Sequence, residues 1–477
     1  MCRFISTKQI YIVIVYILIM MISVFVNTPA SYTIGTLICW GIGIGFSLKK
    51  LKNRFCMFSF NFGYAIFLLG GYVVYWITEH NFNFFNNSNE TIIHTCACLM
   101  FSIAFFNMCS IVFRKQSMEC DFEAKDSLMA SNIMKKYGGV YNLVVWLLII
   151  TFICELLEEI ATTSIIKSTS YAVSDFVNTG LPTIIESLAS YYYIVLFIFW
   201  GFYPSKKKTL ISFVSLALIE VVILISGERG EPISLLFATI FYILMRNRNG
   251  IKDIVISKKM IIVGVIMVPF LISMLQTLSY TRMGRSYDVT FVTSIKDFFA
   301  SQGGSVKIIA NGYDLKDRIT EVGGNTFVFG TIRDYFQNNI FTRILLGTTR
   351  SARTVADAYS GNSYLATYGF LHAAVTYKKG AGAGSTYIAE VFQDGGYIFL
   401  VIFNIFLAWL ILKIDSSKTI SVLKVAIIIN IFRYMVLLPR GVALQWLTST
   451  FAIQNIILFL IIIFLQQMSV KKKNKSV

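Results

Sequence analysis

The chain has 477 residues, of which 56% are hydrophobic and only 14% are charged. Together with its mean hydropathy of +0.67, this composition exceeds what a water-soluble protein needs to bury in its core, which excludes a soluble protein. The sequence is therefore that of an integral membrane protein. The net charge of +17 needs its own explanation, because in a soluble protein it would indicate nucleic-acid binding.

Long apolar runs recur along the chain, and about 20 such residues are enough for a helix to cross the bilayer. The runs are continuous, whereas the strands of a membrane β-barrel alternate apolar and polar residues. We therefore predict an all-α polytopic membrane protein with about twelve transmembrane helices. The predicted spans cover residues 10–26, 32–48, 55–77, 91–113, 140–157, 184–202, 210–226, 233–245, 260–278, 394–414, 419–438 and 446–466.

Lysine and arginine accumulate in alternate connections between these spans. The basic segments are the N-terminus and residues 49–54, 114–136, 206–208, 246–259, 413–418 and 471–475. The short connections between them carry no basic residue or a single one. Because cytoplasmic loops carry an excess of positive charge, we predict that both termini lie in the cytoplasm. The net charge is then a topology signal, and the predicted partner is the lipid bilayer, with no nucleic acid.

One connection is much longer than the others. The sequence divides into residues 1–278 with nine predicted spans, an outer loop at 279–384, and residues 385–477 with three spans and a basic tail. Long loops without a function are uncommon, and Gly- and Ser-rich stretches such as QGGS and YSGNS indicate short helices joined by turns. None of the eight cysteines lies in this loop. We predict an extracytoplasmic cap that is held together by packing and not by disulfides.

Arginines are concentrated on the predicted outer side, where basic residues are usually depleted. They are Arg229 in the stretch SGERGEP, Arg282, Arg285, Arg350, Arg353, Arg433 and Arg440. Arginine stays charged in a low dielectric and binds phosphate oxygens through two parallel hydrogen bonds. These residues therefore predict a site for the pyrophosphate of a polyprenyl lipid. Two simpler interpretations stay open: Arg229 in a salt bridge with Glu228 or Glu231, and Arg433 reaching out to the membrane interface.

A second group of polar residues lies in GAGAGSTYIAEVFQDGGY, residues 380–397. Ser385 is predicted to be a helix N-cap, and Glu390 and Asp394 are then four residues apart on one helix face. Two carboxylates near the arginines could supply a general base, or they could only neutralise the positive charge. His372, in YGFLHAAVTY, is a third candidate base, and simple packing is the alternative for a histidine flanked by apolar residues.

Several catalytic motifs are absent from the sequence. It contains no DxD pair, no P-loop and no GxSxG elbow, so it offers no evident ligand set for a metal-dependent nucleotide-sugar transferase, no ATP coupling and no serine hydrolase site. No metal and no cofactor are therefore predicted.

The sequence combines a large outer loop before the last three spans with SGERG at residues 226–230 and GSTYIAEVFQDGGY at 384–397. Together these features resemble the O-antigen and capsular polysaccharide polymerases of the Wzy type. The resemblance implies a multi-pass protein of the bacterial cytoplasmic membrane. Its activity would be that of a metal-independent glycosyltransferase, which joins oligosaccharide repeat units carried on undecaprenyl pyrophosphate on the outer face of the membrane. It also implies a flippase and a chain-length regulator as partners.

The same resemblance nominates Arg229, Glu390 and Arg440 as functional residues. Two alternatives share some of these features. An O-antigen ligase uses the same donor but transfers the finished glycan to another acceptor. A lipid-linked oligosaccharide flippase also has about twelve spans but needs no large outer cap.

Overall fold

The computed structural model describes residues 7–114, 137–168, 178–255, 290–337, 353–380, 384–417 and 421–474, with isolated positions within 257–277 and at 342, 382 and 419. Across this part of the chain the regular structure is helical and no strand occurs. The predicted all-α class is confirmed.

The first eight described helices are α1 (Thr7–Val26), α2 (Pro29–Lys49), α3 (Phe55–Glu79), α4 (Asn89–Val112), α5 (Gly138–Ser168), α6 (Thr183–Gly201), α7 (Lys206–Ser226) and α8 (Gly230–Arg248). The loop segment contributes α9 (Phe291–Gln302), α10 (Val306–Asp314), α11 (Lys316–Gly323), α12 (Phe327–Gln337), α13 (Val355–Ala358) and α14 (Tyr364–Lys378). The last four are α15 (Tyr387–Asp415), α16 (Val422–Leu437), α17 (Gln445–Thr450) and α18 (Ile453–Asn474).

Nine helices in the described part of the chain are long and apolar enough to cross a membrane, so a multi-pass membrane protein is confirmed, whereas the count of twelve is not. The eighth predicted span forms α8, but charged residues at both of its ends keep it outside the nine. The predicted span at 260–278 lies outside the described residues, apart from isolated positions. The last predicted span is divided into α17 and α18, of which only Ile453–Ser469 is a short apolar helix.

The chain forms two compact units that do not follow chain order. Unit 1 comprises Met1–Cys120, Ile295–Ser417 and Met435–Gln445, and unit 2 comprises Asp121–Ser294, Lys418–Tyr434 and Trp446–Val477. The described helices of the predicted cap lie almost entirely in unit 1. The three-part division of the sequence stays a prediction.

Helix α4 is central to unit 1 and packs against α2 and α15. Polar side chains meet in this interior: the amides of Asn61 and Asn107 exchange two hydrogen bonds of 2.9 Å. Gly43 lies directly against this pair, because a Cβ at this position would come within 2.2 Å of the Asn107 amide. Small residues allow membrane helices to approach closely, so Gly43 sets the distance between α2 and α4.

A buried ion pair joins other elements of unit 1. Arg114 lies just after α4 and donates a hydrogen bond of 2.9 Å to Asp415 at the end of α15. Asp415 also accepts the backbone N–H of Cys56 at 2.8 Å, in the first turn of α3. A carboxylate at a helix N-terminus satisfies N–H groups that have no partner within the helix. Asp415 therefore holds three helices together at one end.

Unit 2 is built around α5, which packs against α6, α7 and α18. Aromatic side chains fill its interior, with Trp200 stacked on Tyr242 at 4.7 Å and Phe241 stacked on Phe432 at 4.2 Å between ring centroids. Such pairs contribute about 0.5–1.5 kcal/mol beyond the area that they bury. Since Tyr242 and Phe241 belong to α8, this packing fixes the helix whose first turn carries charged residues.

Candidate functional site

The stretch SGERGEP forms the tight connection between α7 and α8. Gly227 ends α7 with a φ of 97°, a left-handed conformation that favours glycine. Arg229 is the N-cap residue of α8, and Glu231 and Pro232 lie in its first turn, where an acidic side chain and a proline are both favourable. The turn chemistry explains Gly227 and Pro232, and it leaves the charged residues to be explained by their surroundings.

Arg433 of α16 forms an ion pair with Glu231 of α8. Its guanidinium group also lies 4.4 Å from the centre of the Tyr193 ring on α6. The Tyr193 hydroxyl in turn donates a hydrogen bond of 3.3 Å to Glu220 of α7. Arg433 is thus held by a carboxylate and an aromatic face from separate helices.

Several glutamates of unit 2 gather around Arg433. Glu155 of α5 and Glu220 of α7 both interact electrostatically with Arg433, and further glutamates interact with these two. We refer to the whole group as the acidic cluster; its members are Glu155, Glu158, Glu159, Glu220, Glu228 and Glu231. Glu155 and Glu220 are only 7% and 8% exposed, so the cluster places ionisable carboxyl groups inside the helical unit.

The acidic cluster was not predicted, because apart from Arg433 and Asp394 the candidate residues lie in the connections between the predicted spans. A signal for it exists in CELLEE, residues 154–159, which places three glutamates within an otherwise apolar helix. Ionisable residues inside membrane helices are costly and usually functional. Glu220, a single acid within α7, carries the same signal.

In unit 1, Glu390 is almost completely buried at 1% exposure. One carboxylate oxygen accepts the Ser385 hydroxyl at 2.7 Å, and the other accepts the backbone N–H of Ala443 at 2.7 Å. The N-cap residue of α15 is Thr386 and not Ser385 as predicted, because the Ser385 side chain points to Glu390. Thr386 itself donates a hydrogen bond of 2.8 Å to the carbonyl of Pro439. These contacts tie the start of α15 to the segment that follows α16.

Arg440 lies on that segment and is exposed. It donates a hydrogen bond of 3.0 Å to the side-chain carbonyl of Gln302, and its guanidinium lies 5.2 Å from the centre of the Phe67 ring. An amide and an aromatic ring thus fix the direction of the side chain. Because the residue is exposed, an anionic ligand can reach the guanidinium from solvent.

Asp394 is placed differently from Glu390, although both lie on the first part of α15. Its two oxygens accept the backbone N–H groups of Phe327 and Val328 at 2.8 and 2.7 Å, so it caps the N-terminus of α12. The helix then breaks at Gly395 and Gly396, where Gly396 has a φ of 61°. Asp394 thus joins α12 to α15 just before a bend.

His372 is exposed on α14, and its ring stacks on Tyr368 at 5.3 Å. Burial raises the pKa of Tyr368, although a hydrogen bond with Asn311 opposes this shift. Tyr368 therefore keeps its proton at neutral pH and is not itself a base. An exposed histidine on a fixed aromatic face remains available to a ligand.

Arg353 brings two sequence motifs of the loop together. It has a φ of 60°, and its guanidinium lies 5.6 Å from the centre of the Tyr377 ring. A Cβ added to Gly382 would come within 2.3 Å of this guanidinium. Gly382 of GAGAGS therefore makes room for Arg353 of TTRSART. Arg282, Arg285 and Arg350 lie outside the described residues.

Within the described residues, no group of three or more His, Cys, Asp or Glu side chains is arranged to hold a metal ion. A family model of the O-antigen polysaccharide polymerase Wzy matches residues 9–473, nearly the whole chain. The chain belongs to this family. Searches among curated proteins and among solved structures found no match.

Membership of the Wzy family places this multi-pass membrane protein among the polysaccharide polymerases. It supports the polymerase interpretation of the sequence over the ligase and the flippase. The match covers the SGERGEP connection, the predicted cap and α15, so each candidate residue lies within the family region.

Proposed function

We propose that this Wzy-family protein polymerises oligosaccharide repeat units carried on undecaprenyl pyrophosphate, and that it acts on the outer face of the cytoplasmic membrane. The family match over residues 9–473 is the observation that carries the proposal. A flippase that delivers the repeat units and a regulator of chain length are proposed as partners.

The chemical step is a glycosyl transfer. The bond between the sugar C1 of the donor and its pyrophosphate oxygen breaks, and the pyrophosphate leaves with the bonding electrons. A hydroxyl oxygen of the acceptor repeat unit forms the new bond to C1 and loses its proton to a base. Fixed arginines stabilise the charge that develops on the leaving group. Because the donor already carries this pyrophosphate, the step consumes no nucleotide.

Arg440 is the best placed of the described arginines to bind the pyrophosphate. It is exposed, and contacts with Gln302 and the Phe67 ring hold its guanidinium. Arg353, held by an aromatic ring and a glycine, is a second candidate in unit 1. Arginine donors fixed before the reaction act on the transition state without further reorganisation. Arg282, Arg285 and Arg350 remain proposed ligands on sequence grounds alone.

Glu390 acts, in this proposal, as a positioning residue. Each of its oxygens already accepts a hydrogen bond from the protein, and its contact with Ala443 fixes the segment that carries Arg440. His372 is then the better candidate for the proton acceptor, because it is exposed and an imidazole nitrogen can serve as a general base. Asp394 positions α12.

Arg229 and Arg433 lie in an environment of opposite charge. Glu231 pairs with Arg433, and Glu228 and Glu231 flank Arg229 in sequence. Nearby carboxylates weaken the attraction of an arginine for pyrophosphate. We therefore propose that Arg433 organises the acidic cluster, and that Arg229 is the weaker candidate for the pyrophosphate site.

Supplying the purified protein with lipid-linked repeat units tests the proposed function. Products that increase in length by one repeat unit support it. Products that appear only after a different acceptor is added favour a ligase instead.

A further inference from the structure

Two buried glutamates of the acidic cluster lack the hydrogen bonds that a carboxylate requires. Glu220 accepts the Tyr193 hydroxyl through one oxygen, but its other oxygen is buried and has no partner within the described residues. Glu155 interacts electrostatically with Arg433 and accepts no hydrogen bond from any described residue. Leaving a buried acceptor such as the second Glu220 oxygen unsatisfied costs about 1–3 kcal/mol.

The glutamates of the acidic cluster outnumber the two arginines beside them, Arg433 and Arg229. Arg433 interacts with both Glu155 and Glu220, and it is also paired with Glu231. A group dominated by acidic side chains does not attract an anionic ligand such as pyrophosphate. What the cluster requires is a ligand with several hydrogen-bond donors.

The elements around the cluster hold these acceptors in place. Glu155 lies on α5, Glu220 on α7 and Glu231 at the start of α8. Tyr193 bridges the group, since its ring lies under the Arg433 guanidinium while its hydroxyl binds Glu220. The acceptor oxygens are therefore held in position by separate helices and lie beside an aromatic ring.

We propose that the acidic cluster binds hydroxyl groups of the oligosaccharide repeat unit, with Glu155 and Glu220 as the accepting side chains. Sugar hydroxyls supply the hydrogen-bond donors that these carboxylates lack, and a neutral sugar is not repelled by them. This inference rests on the proposed function. It assigns sugar recognition to residues of unit 2.

The test measures binding of the free repeat-unit oligosaccharide, released from its lipid by mild acid, to the full-length protein in detergent. Glu155→Gln and Glu220→Gln keep the size of each side chain and remove its charge and one acceptor oxygen. We expect each variant to bind the oligosaccharide at least about tenfold more weakly, because a hydrogen bond to a charged group contributes roughly this much. Glu186→Gln is the matched control: Glu186 is also a glutamate of unit 2, and it already accepts the Thr179 hydroxyl.

Polymerisation assays of the same variants separate this inference from the proposed function. We expect Glu155→Gln and Glu220→Gln to raise the KM for lipid-linked repeat units more than they lower kcat, with unchanged melting temperatures. Wild-type affinity for the oligosaccharide in both variants would overturn the inference, even if the wild-type protein makes polymer. So would binding of Mg²⁺ or Na⁺ that is lost in both variants while sugar affinity is kept. Failure of the wild-type protein to make polymer would instead overturn the proposed function.

Discussion

The carboxylate of Glu390 accepts the backbone N–H of Ala443 at a distance of 2.7 Å. The two residues are 53 positions apart in sequence, and their contact joins the start of α15 to the segment that carries Arg440. The other oxygen of Glu390 accepts the Ser385 hydroxyl. A buried carboxylate with both oxygens occupied stabilises the geometry of the segment around it.

This arrangement predicts that Glu390→Met destabilises the protein. The methionine thioether is only a weak acceptor, so the Ser385 hydroxyl and the backbone N–H of Ala443 both lose their partner. We expect a loss of about 1–3 kcal/mol, measured as a lower melting temperature in detergent, together with reduced polymerisation. A wild-type melting temperature combined with complete loss of turnover would contradict the positioning role and favour Glu390 as the base.

Replacement of Arg440 is expected to lower the activity of the protein and to leave its stability almost unchanged. Arg440→Lys keeps the charge but loses the planar group that binds two phosphate oxygens. Removal of one such donor typically lowers kcat by about 10²-fold or more, whereas the melting temperature should hardly change because Arg440 is exposed. Arg318→Ala, at an exposed arginine of the same unit, is the control and should retain activity. Equal activity in Arg440→Lys and Arg318→Ala would remove Arg440 from the site.

The local structure of the candidate site could be predicted from sequence better than its contacts. The composition indicates a membrane protein, and the glycines and proline of SGERGEP predict a tight connection between α7 and α8. The partner of Glu390 could not be predicted, because Ala443 lies 53 residues away and contributes a backbone N–H that no side-chain pattern reveals. The role of Asp394 could not be predicted either, because its partners are backbone N–H groups at the start of α12 in the loop segment.

The acidic cluster could be predicted only as separate residues. Glu155 and Glu220 are visible in the sequence as charges inside apolar runs, and the cost of such charges in a membrane marks them as functional candidates. Their common site is not visible, because the members of the cluster come from three helices and one connection. Only the packing of those helices brings the glutamates near Arg433.

Gly43 offers a test of the packing in unit 1. A methyl group at this position would overlap the Asn107 amide, which is fixed by its hydrogen bonds to Asn61. We expect Gly43→Ala to lower the stability by about 1–3 kcal/mol, as overpacking typically does. Gly41→Ala is the matched control on the same helix, because a Cβ there has no atom within 4 Å. Similar melting temperatures for the two variants would show that α2 and α4 do not pack in this way.

The predicted orientation can be tested with single cysteines. In a background in which Cys2 and Cys120 are serine, we expect Glu321→Cys on the loop segment to react with an impermeant maleimide in intact cells. Ser205→Cys, in a predicted cytoplasmic connection, should react only after the cells are opened. Both positions are exposed, so a difference in labelling reports the side of the membrane. Labelling of Ser205→Cys alone in intact cells would reverse the predicted topology.

The most direct test of the proposed function is polymerisation by the purified full-length protein. The assay contains lipid-linked repeat units as the only sugar, with no nucleotide sugar, ATP or divalent metal. Since each unit already carries its own pyrophosphate leaving group, we predict a ladder of products whose spacing is one repeat unit. No ladder under these conditions, with transfer only when a separate acceptor is supplied, would contradict the polymerase proposal and identify the activity as that of a ligase.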